Sequence, residues 1–330
     1  MPKGRLAPSP TGAQHPGNAR TFLVAWLAAR SSRSPLVCRI EDIDSPRVKL
    51  WALTQALDDL AWLGLDWDEG PPRPGVRAAM EAGDEPGVPF VQSQRLARYR
   101  DVLAELKSRE LIYPCTCSRS EASQAASAPH AGHEPAVYPG TCAGRFAGEA
   151  ASLPEGTYCW RFRMAGFREP IGWQDAIAGL QVASLPGTLG DFVIAKADGT
   201  PSYQLAVVVD DHDMGIEQVV RGDDLIPSTF RQLALYQTLG WQAPGFAHVP
   251  LVKGPDGLRL AKRHGDSRLS ILREAGVDPR RVIGWLARSL GLAEEASPIT
   301  PGELIETFAW EKIAKDPVMF PREVWEGWLR

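Results

Sequence analysis

The chain has 330 residues, 44% of them hydrophobic and 23% charged, with a formal net charge of -4. That composition excludes a disordered chain and a wholesale basic surface, and there is no apolar run of about 18 residues to cross a bilayer. A cytoplasmic protein of two or three packed units is expected, meeting any nucleic acid through local clusters such as Arg95, Arg98 and Arg100 or Arg259 to Arg263.

The opening "GRLA" reads as a short strand and "RLAPSPTGAQHPGNAR" as the loop after it, with a helix beginning near Arg20 in "TFLVAWLAARSSR". The compact apolar run "PLVCRIEDID" is a second strand, and "VKLWALTQALDDLAWLGLDWDEG" a second amphipathic helix. Strand, loop, helix and strand in that order predict a doubly wound parallel sheet, α/β in class. From Ser93 another helix presents Leu96, Tyr99, Val102, Leu103 and Leu106 on one face. Beyond it, short alternating segments such as "TYCWRFRM" and "LGDFVIAKADG" predict an antiparallel insertion over residues 96–190.

The segment from Pro201 to Leu225 is ambiguous: Val207 to Val209 favours a strand, whereas the spacing of Tyr203, Val207, Asp210 and Asp211 suits a helix. Asp210, Asp211 and His212 resemble a metal cluster, but three consecutive residues do not converge on one ion, so they read as structural. A helix follows from Ser228, and from Ser267 onward the pattern is almost wholly helical, including "GELIETFAWEKIA".

Five cysteines, an odd number, point to a reducing compartment rather than a disulfide framework. Cys38 and Cys159 sit in apolar strand-like contexts and read as buried thiols. Cys115, Cys117 and Cys142 supply three soft ligands suited to tetrahedral zinc, with His130, His133, Tyr138 or Cys159 as the fourth. Ligand chemistry by itself favours His133. Ahead of the first helix, His15, Gly17 and Asn18 lie where unpaired amides and the helix dipole favour phosphate. In "GLRLAKRHGD", Arg259, Lys262 and Arg263 form a basic loop able to reach polyphosphate.

"HPGN" and "RLAKR" resemble the two signature motifs of the class I aminoacyl-tRNA synthetases, and "RLAPSPTG", "RIEDID", "VVVDDHDMGIEQVVRGDDL" and "LYQTLGW" are similar to the glutamyl branch. The blocks keep family order from residue 5 to about residue 265. Within the branch the chain is most similar to the short paralogues of glutamyl-tRNA synthetase directed at queuosine in tRNA(Asp), through its "CTC" and "YPGTC" elements and its end at Arg330. The resemblance implies a Rossmann-type catalytic domain in two halves, residues 1–95 and 191–266. It also implies a zinc-containing insertion over 96–190, a helical C-terminal unit over 267–330, and no anticodon-binding domain.

It further implies that Arg5, Leu6, Ala7, Pro8, Ser9, Glu41, Tyr203 and Arg221 hold L-glutamate, two arginines suiting a doubly acidic substrate. His15, Gly17, Asn18, Arg259 and Lys262 would bind ATP with its Mg2+, His15 and Lys262 stabilising the transferred charge. Tyr138 becomes the fourth ligand of one structural zinc per chain. The expected activity is that of an ATP-dependent ligase, a monomer transferring glutamate to queuosine in the anticodon loop of tRNA(Asp). A truncated glutamyl-tRNA synthetase charging tRNA(Glu), or a non-catalytic tRNA-binding paralogue, is the alternative. Two positions depart from the motifs: Asn18 replaces a histidine, and Ala261 a serine.

Overall fold

The computed structural model describes residues 1–43, 48–72, 90–117, 138–184, 189–254, 256–258, 260 and 267–330. Strand β1 (Gly4–Leu6) leads through the predicted loop to α1 (Pro16–Ser31) and then to β2 (Leu36–Cys38), which pairs parallel with β1. The helix starts a turn earlier than the apolar pattern indicated, because proline at N1 presets its φ and His15 caps it. Gly17 and Asn18 therefore lie inside the first turn.

Helix α2 (Leu50–Trp62) follows, and α3 (Leu96–Ser108) buries the predicted Tyr99, Val102, Leu103 and Leu106. Next come β3 (Ile112–Cys115), β4 (Cys159–Phe162), the hairpin β5 (Ile171–Asp175) and β6 (Gly179–Ala183), and β7 (Phe192–Lys196). Strands β3, β4 and β7 form an antiparallel sheet in that order, so its third strand runs past the boundary expected at residue 190. The hairpin packs back against residues 226–239 and 245–249.

The ambiguous segment is helical: α4 (Tyr203–Asp213) is buried along Gln204 to Asp211. A helix enclosed on nearly all sides can carry three consecutive valines, since burial outweighs their weak helix propensity. Strand β8 (Gln218–Gly222), α5 (Ile226–Leu239) and β9 (Gly245–Val249) complete a parallel sheet of order β2-β1-β8-β9. The order reverses at β1, and the crevice at the carboxyl ends of β1 and β8 is where such sheets hold ligands.

After β10 (Val252–Lys253) come α6 (Leu269–Glu274), α7 (Pro279–Ser289), β11 (Val318–Met319) and α8 (Arg322–Trp328). The stretch "GELIETFAWEKIA" is not one helix: it holds two 3-10 turns, Gly302–Leu304 and Trp310–Lys312. Its β-branched and aromatic residues are poor helix formers, and Leu304 and Ile313 are instead drawn separately into the core. That core is continuous with the one beneath α1, for Leu23 and Leu27 share a cluster with Leu272, Ile283, Leu286 and Trp328. Strand β10 pairs with β11, and the fully buried Arg20 donates to Pro250 O and to Ser289 O and Oγ.

A half-buried ion pair also joins α6 to α2. Arg273 Nε lies 3.1 Å from Asp59 Oδ1, and burial pushes the Asp59 carboxyl up to about 7 despite the pull of Arg273. A carboxyl raised on folding contributes stability that is complete below its unfolded value near 4 and is lost as pH rises through about 7. In Asp59→Asn, the fall in thermal midpoint between pH 5 and pH 8 is therefore expected to flatten. An unchanged slope in calorimetric scans of the variant would contradict this.

Candidate active site

Arg5 and Arg221 are each 5% exposed at the sheet's switch point. Arg5 Nη1 donates to Val220 O at 2.7 Å, and its Nε lies 3.8 Å from Asp211. Arg221 donates from Nε to His248 Nε2 at 3.1 Å and from Nη2 to Thr229 Oγ1 at 2.6 Å. One terminal nitrogen of each, Nη2 of Arg5 and Nη1 of Arg221, has no protein partner among the described residues. Burial lowers the Arg5 pKa against the pull of Asp211.

Glu41 belongs to the same group. Its Oε1 accepts from Arg39 Nη2 at 3.0 Å, and its Oε2 has no protein partner among the described residues. Burial raises its carboxyl, against Arg39 and Arg5. The fully buried Arg39 also donates to Asp211 at 2.7 Å and lies 3.7 Å from Asp210. Burial lowers the Arg39 pKa, yet Asp211, Glu41 and Asp210 together raise it well above the ordinary value. Tyr203, at the start of α4, lies in the field of Arg221, Glu41, Arg5 and Asp211, its phenol raised by burial. Two guanidinium nitrogens and one carboxylate oxygen of this electrostatically coupled group thus have no protein partner among the described residues, a set matched to a small molecule carrying an ammonium and two carboxylates.

The loop beside this group is fixed through its backbone. Leu6 O accepts from Arg39 N at 2.9 Å, Pro8 O from Glu41 N at 3.1 Å, and Ser9, exposed, turns the chain through Thr11 N at 2.9 Å. Ala7 is half-buried between them. At the helix start, His15 Nδ1 accepts from Gly17 N at 3.1 Å while Asn18 Oδ1 accepts from His15 N at 3.3 Å, a reciprocal cap. Glycine at 17 has a steric cause, since a Cβ would meet His15 Cε1 at 2.9 Å. Lys262, Arg259, Arg263 and Ala261 lie outside the described residues, as do His130 and His133.

The cysteines gather at the far end of the antiparallel sheet. The thiols of Cys115, Cys117 and Cys142 all lie within 4.8 Å of one another. Tyr138 Oη enters this group at 3.3 Å from Cys115 Sγ and 3.2 Å from Cys117 Sγ, and accepts from Cys142 N at 3.0 Å. Tetrahedral zinc with Zn–S near 2.3 Å and Zn–O near 2.0 Å sets sulfurs about 3.8 Å and sulfur and oxygen about 3.5 Å apart. The 3.8 Å between Cys117 and Cys142 and the two phenol distances fit those edges, so three thiols and one phenol oxygen suit the ion. Hydrogen bonds from Cys159, Tyr138 and Arg161 hold the Cys115 thiol well below its usual range, against burial. Cys159 is the antiparallel partner of Cys115 and stays outside the group of three.

The family model for the class I tRNA synthetases of the E and Q type, catalytic domain, matches residues 3–326. The chain belongs to this synthetase family. It is 47% identical to a Glutamyl-Q tRNA(Asp) synthetase of Symbiobacterium thermophilum, over 97% of this chain and 96% of that protein. It is 46% identical to one from Rhodopirellula baltica, over 96% and 95%. A glutamate–tRNA ligase of Burkholderia thailandensis is 37% identical over 96% of this chain but 63% of its own length. Among solved structures, a glutamate tRNA ligase from Elizabethkingia meningosepticum in complex with its amino acid superposes with a TM-score of 0.78 at 28% identity, covering 99% of this chain and 68% of that one.

Within this synthetase fold, the structure brings together Arg5, Glu41, Tyr203 and Arg221, and separately Cys115, Cys117, Tyr138 and Cys142. Sequence reasoning missed Arg39, Asp175, His248 and Tyr236. Tyr236 is 2% exposed, with a phenol oxygen unpartnered among the described residues beside Asp211, Arg39, Arg221 and Arg5. Arg39 and Tyr236 stand inside "RIEDID" and "LYQTLGW" but carried no pocket assignment there, and Asp175 and His248 stand in none of the blocks. The Asp210 and His212 cluster is structural as expected: Asp210 accepts from Gln92, Arg95 and Tyr99, and His212 stacks on Trp241 at 4.0 Å. Among the described residues, no helix is long and apolar enough to cross a membrane.

Proposed function

We propose that the protein activates L-glutamate with ATP and transfers the glutamyl group to queuosine in the anticodon loop of tRNA(Asp). The observation that carries the amino-acid half is the pair of guanidinium nitrogens, on Arg5 and Arg221, without a protein partner among the described residues, in one electrostatic group with Glu41 and its open oxygen. Two forks and a carboxylate select a substrate with two acids and one ammonium. The acceptor follows the relatives, which span nearly the full length of this chain and bear that name.

A glutamate carboxylate oxygen attacks the α-phosphorus of ATP, the bond to pyrophosphate breaks, and glutamyl-adenylate forms. A hydroxyl of the queuosine cyclopentenediol then attacks the glutamyl carbonyl and AMP leaves. Arg5, Arg221, Glu41 and Tyr203 hold the amino acid in line, while His15, Gly17 and Asn18 at the α1 start, with Arg259 and Lys262, meet the phosphates. Mg2+ accompanies ATP and neutralises its outer phosphates. Cys115, Cys117, Tyr138 and Cys142 would hold zinc, which supplies structural cross-linking of the insertion and no chemistry to the reaction.

Labelled glutamate and ATP, supplied with queuosine-containing and queuosine-free tRNA(Asp), test the reading. Label is expected on the queuosine-containing tRNA alone. Equal labelling of both, or labelling of tRNA(Glu) only, would overturn it.

A further inference from the structure

We infer that Asp175 and His248 form a buried brace that fixes the rotation of the Arg221 guanidinium, making both of them positioning residues for amino-acid binding. This rests on the reading of Arg221 as a glutamate ligand. Neither residue lies in a sequence block that marked the pocket.

The geometry begins with strand register. Arg221 of β8 and His248 of β9 are direct parallel partners, so their side chains project from the same face of the sheet. Arg221 Nε donates to His248 Nε2 at 3.1 Å. A guanidinium offers only donors, so Nε2 carries the lone pair and the ring proton sits on Nδ1. That nitrogen faces Asp175 Oδ2 at 2.5 Å. Thr229 Oγ1 completes the arrangement, accepting from Arg221 Nη2 at 2.6 Å and lying 3.1 Å from Nε2.

Asp175 cannot turn away from this task. Its other oxygen, Oδ1, accepts the backbone amides of Ile177 at 3.0 Å, Ala178 at 2.8 Å and His248 at 3.1 Å. Asp175 and His248 are each 1% exposed. Burial pushes the imidazole down to about 4 against the Asp175 hydrogen bond, and Arg221 adds to the fall, so the ring is neutral where Arg221 is charged. A neutral ring accepts from the cation; an imidazolium there would repel it. With Nε and Nη2 both committed, the guanidinium has one orientation, and Nη1 is the nitrogen left for a ligand. A second-rank hydrogen bond that sets a tautomer and aims a binding group is the device used around metal-bound histidines. Here its object is an arginine.

The brace also explains why the β5–β6 hairpin folds back onto the parallel sheet. Asp175 ends β5, and Trp173 of the same strand packs edge-on against Phe230 at 4.6 Å. The hairpin delivers the carboxylate to β9 across 73 residues of chain.

Two near-isosteric substitutions separate positioning from mere support. Glutamine places its carbonyl where Nε2 lies and can accept from Arg221. Asparagine keeps a donor toward Asp175 and offers Arg221 nothing. In glutamate-dependent pyrophosphate exchange by the full chain, His248→Asn is expected to raise the glutamate KM about tenfold to a hundredfold, leaving the ATP KM within about twofold. His248→Gln should stay within about threefold of the parent for both substrates. An unchanged glutamate KM in the asparagine variant, or equal losses in both variants, would overturn the brace.

Should either variant fail to fold, nitrogen-15 long-range NMR of the parent protein reads the tautomer directly. A His248 ring protonated on Nδ1 alone supports the proposal, and one protonated on Nε2 refutes it. Arg221→Ala serves as the control. If it leaves the glutamate KM unaltered, the pocket reading itself fails; if it raises KM and His248→Asn does not, only the brace is lost.

Discussion

Arg221→Ala is expected to lower kcat/KM for glutamate activation about thirtyfold to several thousandfold, since truncating one partner of a buried charge pair costs about 2–5 kcal/mol. The loss should sit mainly in the glutamate KM, with the ATP KM little changed. Arg221 is the cleaner probe of the two arginines. Arg5 Nη1 also holds Val220 O, and its charge faces Asp211, so removing it disturbs the sheet as well as the pocket. Lysine at 221 should not rescue, because a point charge cannot serve His248, Thr229 and a carboxylate from one planar fork. Pyrophosphate exchange across a glutamate series decides the matter. Parental kinetics in the alanine variant would remove Arg221 from the substrate site.

The second large effect concerns the cysteine group. The protein isolated without chelator is expected to carry one zinc per chain by elemental analysis, and Cys142→Ser to carry little. Isolated zinc-finger peptides draw about 10–16 kcal/mol of apparent binding energy from the metal. The loss here should be far smaller, because β3 already pairs with β4 and Tyr113 and Val193 pack around the thiols. A loss of about 3 kcal/mol would lower the thermal midpoint by about 4 °C in a chain of this size. Tyr138→Phe keeps the ring under the Arg161 guanidinium, 3.7 Å away, and removes only the oxygen. Metal retention intermediate between the parent and Cys142→Ser is expected for it. A metal-free parent whose unfolding ignores added zinc would end the metal reading.

What the sequence made legible followed from how locally each feature is encoded. Arg5, Glu41 and Arg221 each stand in or next to a strand-like run inside a recognisable block, and the structure brings them into one electrostatic group. The helices α1, α2 and α3 were visible because an amphipathic stripe needs only its own residues to be read. Arg39 and His248 were opaque for the opposite reason. Arg39 stands just past β2 and His248 within β9, and the meaning of each depends on Asp211 or Asp175, far away in the chain. The α4 segment could not be settled locally, because three valines and a helical spacing of acids conflict until the surrounding burial is known. Residues 302–314 misled by composition: apolar residues in plausible order, yet anchored to the core as separate points.

The cap on α1 has a bearing on how its histidine can be studied. One ring nitrogen of His15 closes the first turn of the helix, through Gly17 N, before any nucleotide arrives. Alanine at this position would lose about 1 kcal/mol of capping along with any phosphate contact, and the two deficits would be read as one number. Asparagine, itself a good cap, would preserve the turn and remove only the imidazole. The deficit of the asparagine variant is the part of His15 that belongs to any phosphate contact, and the further deficit of the alanine variant is the cap.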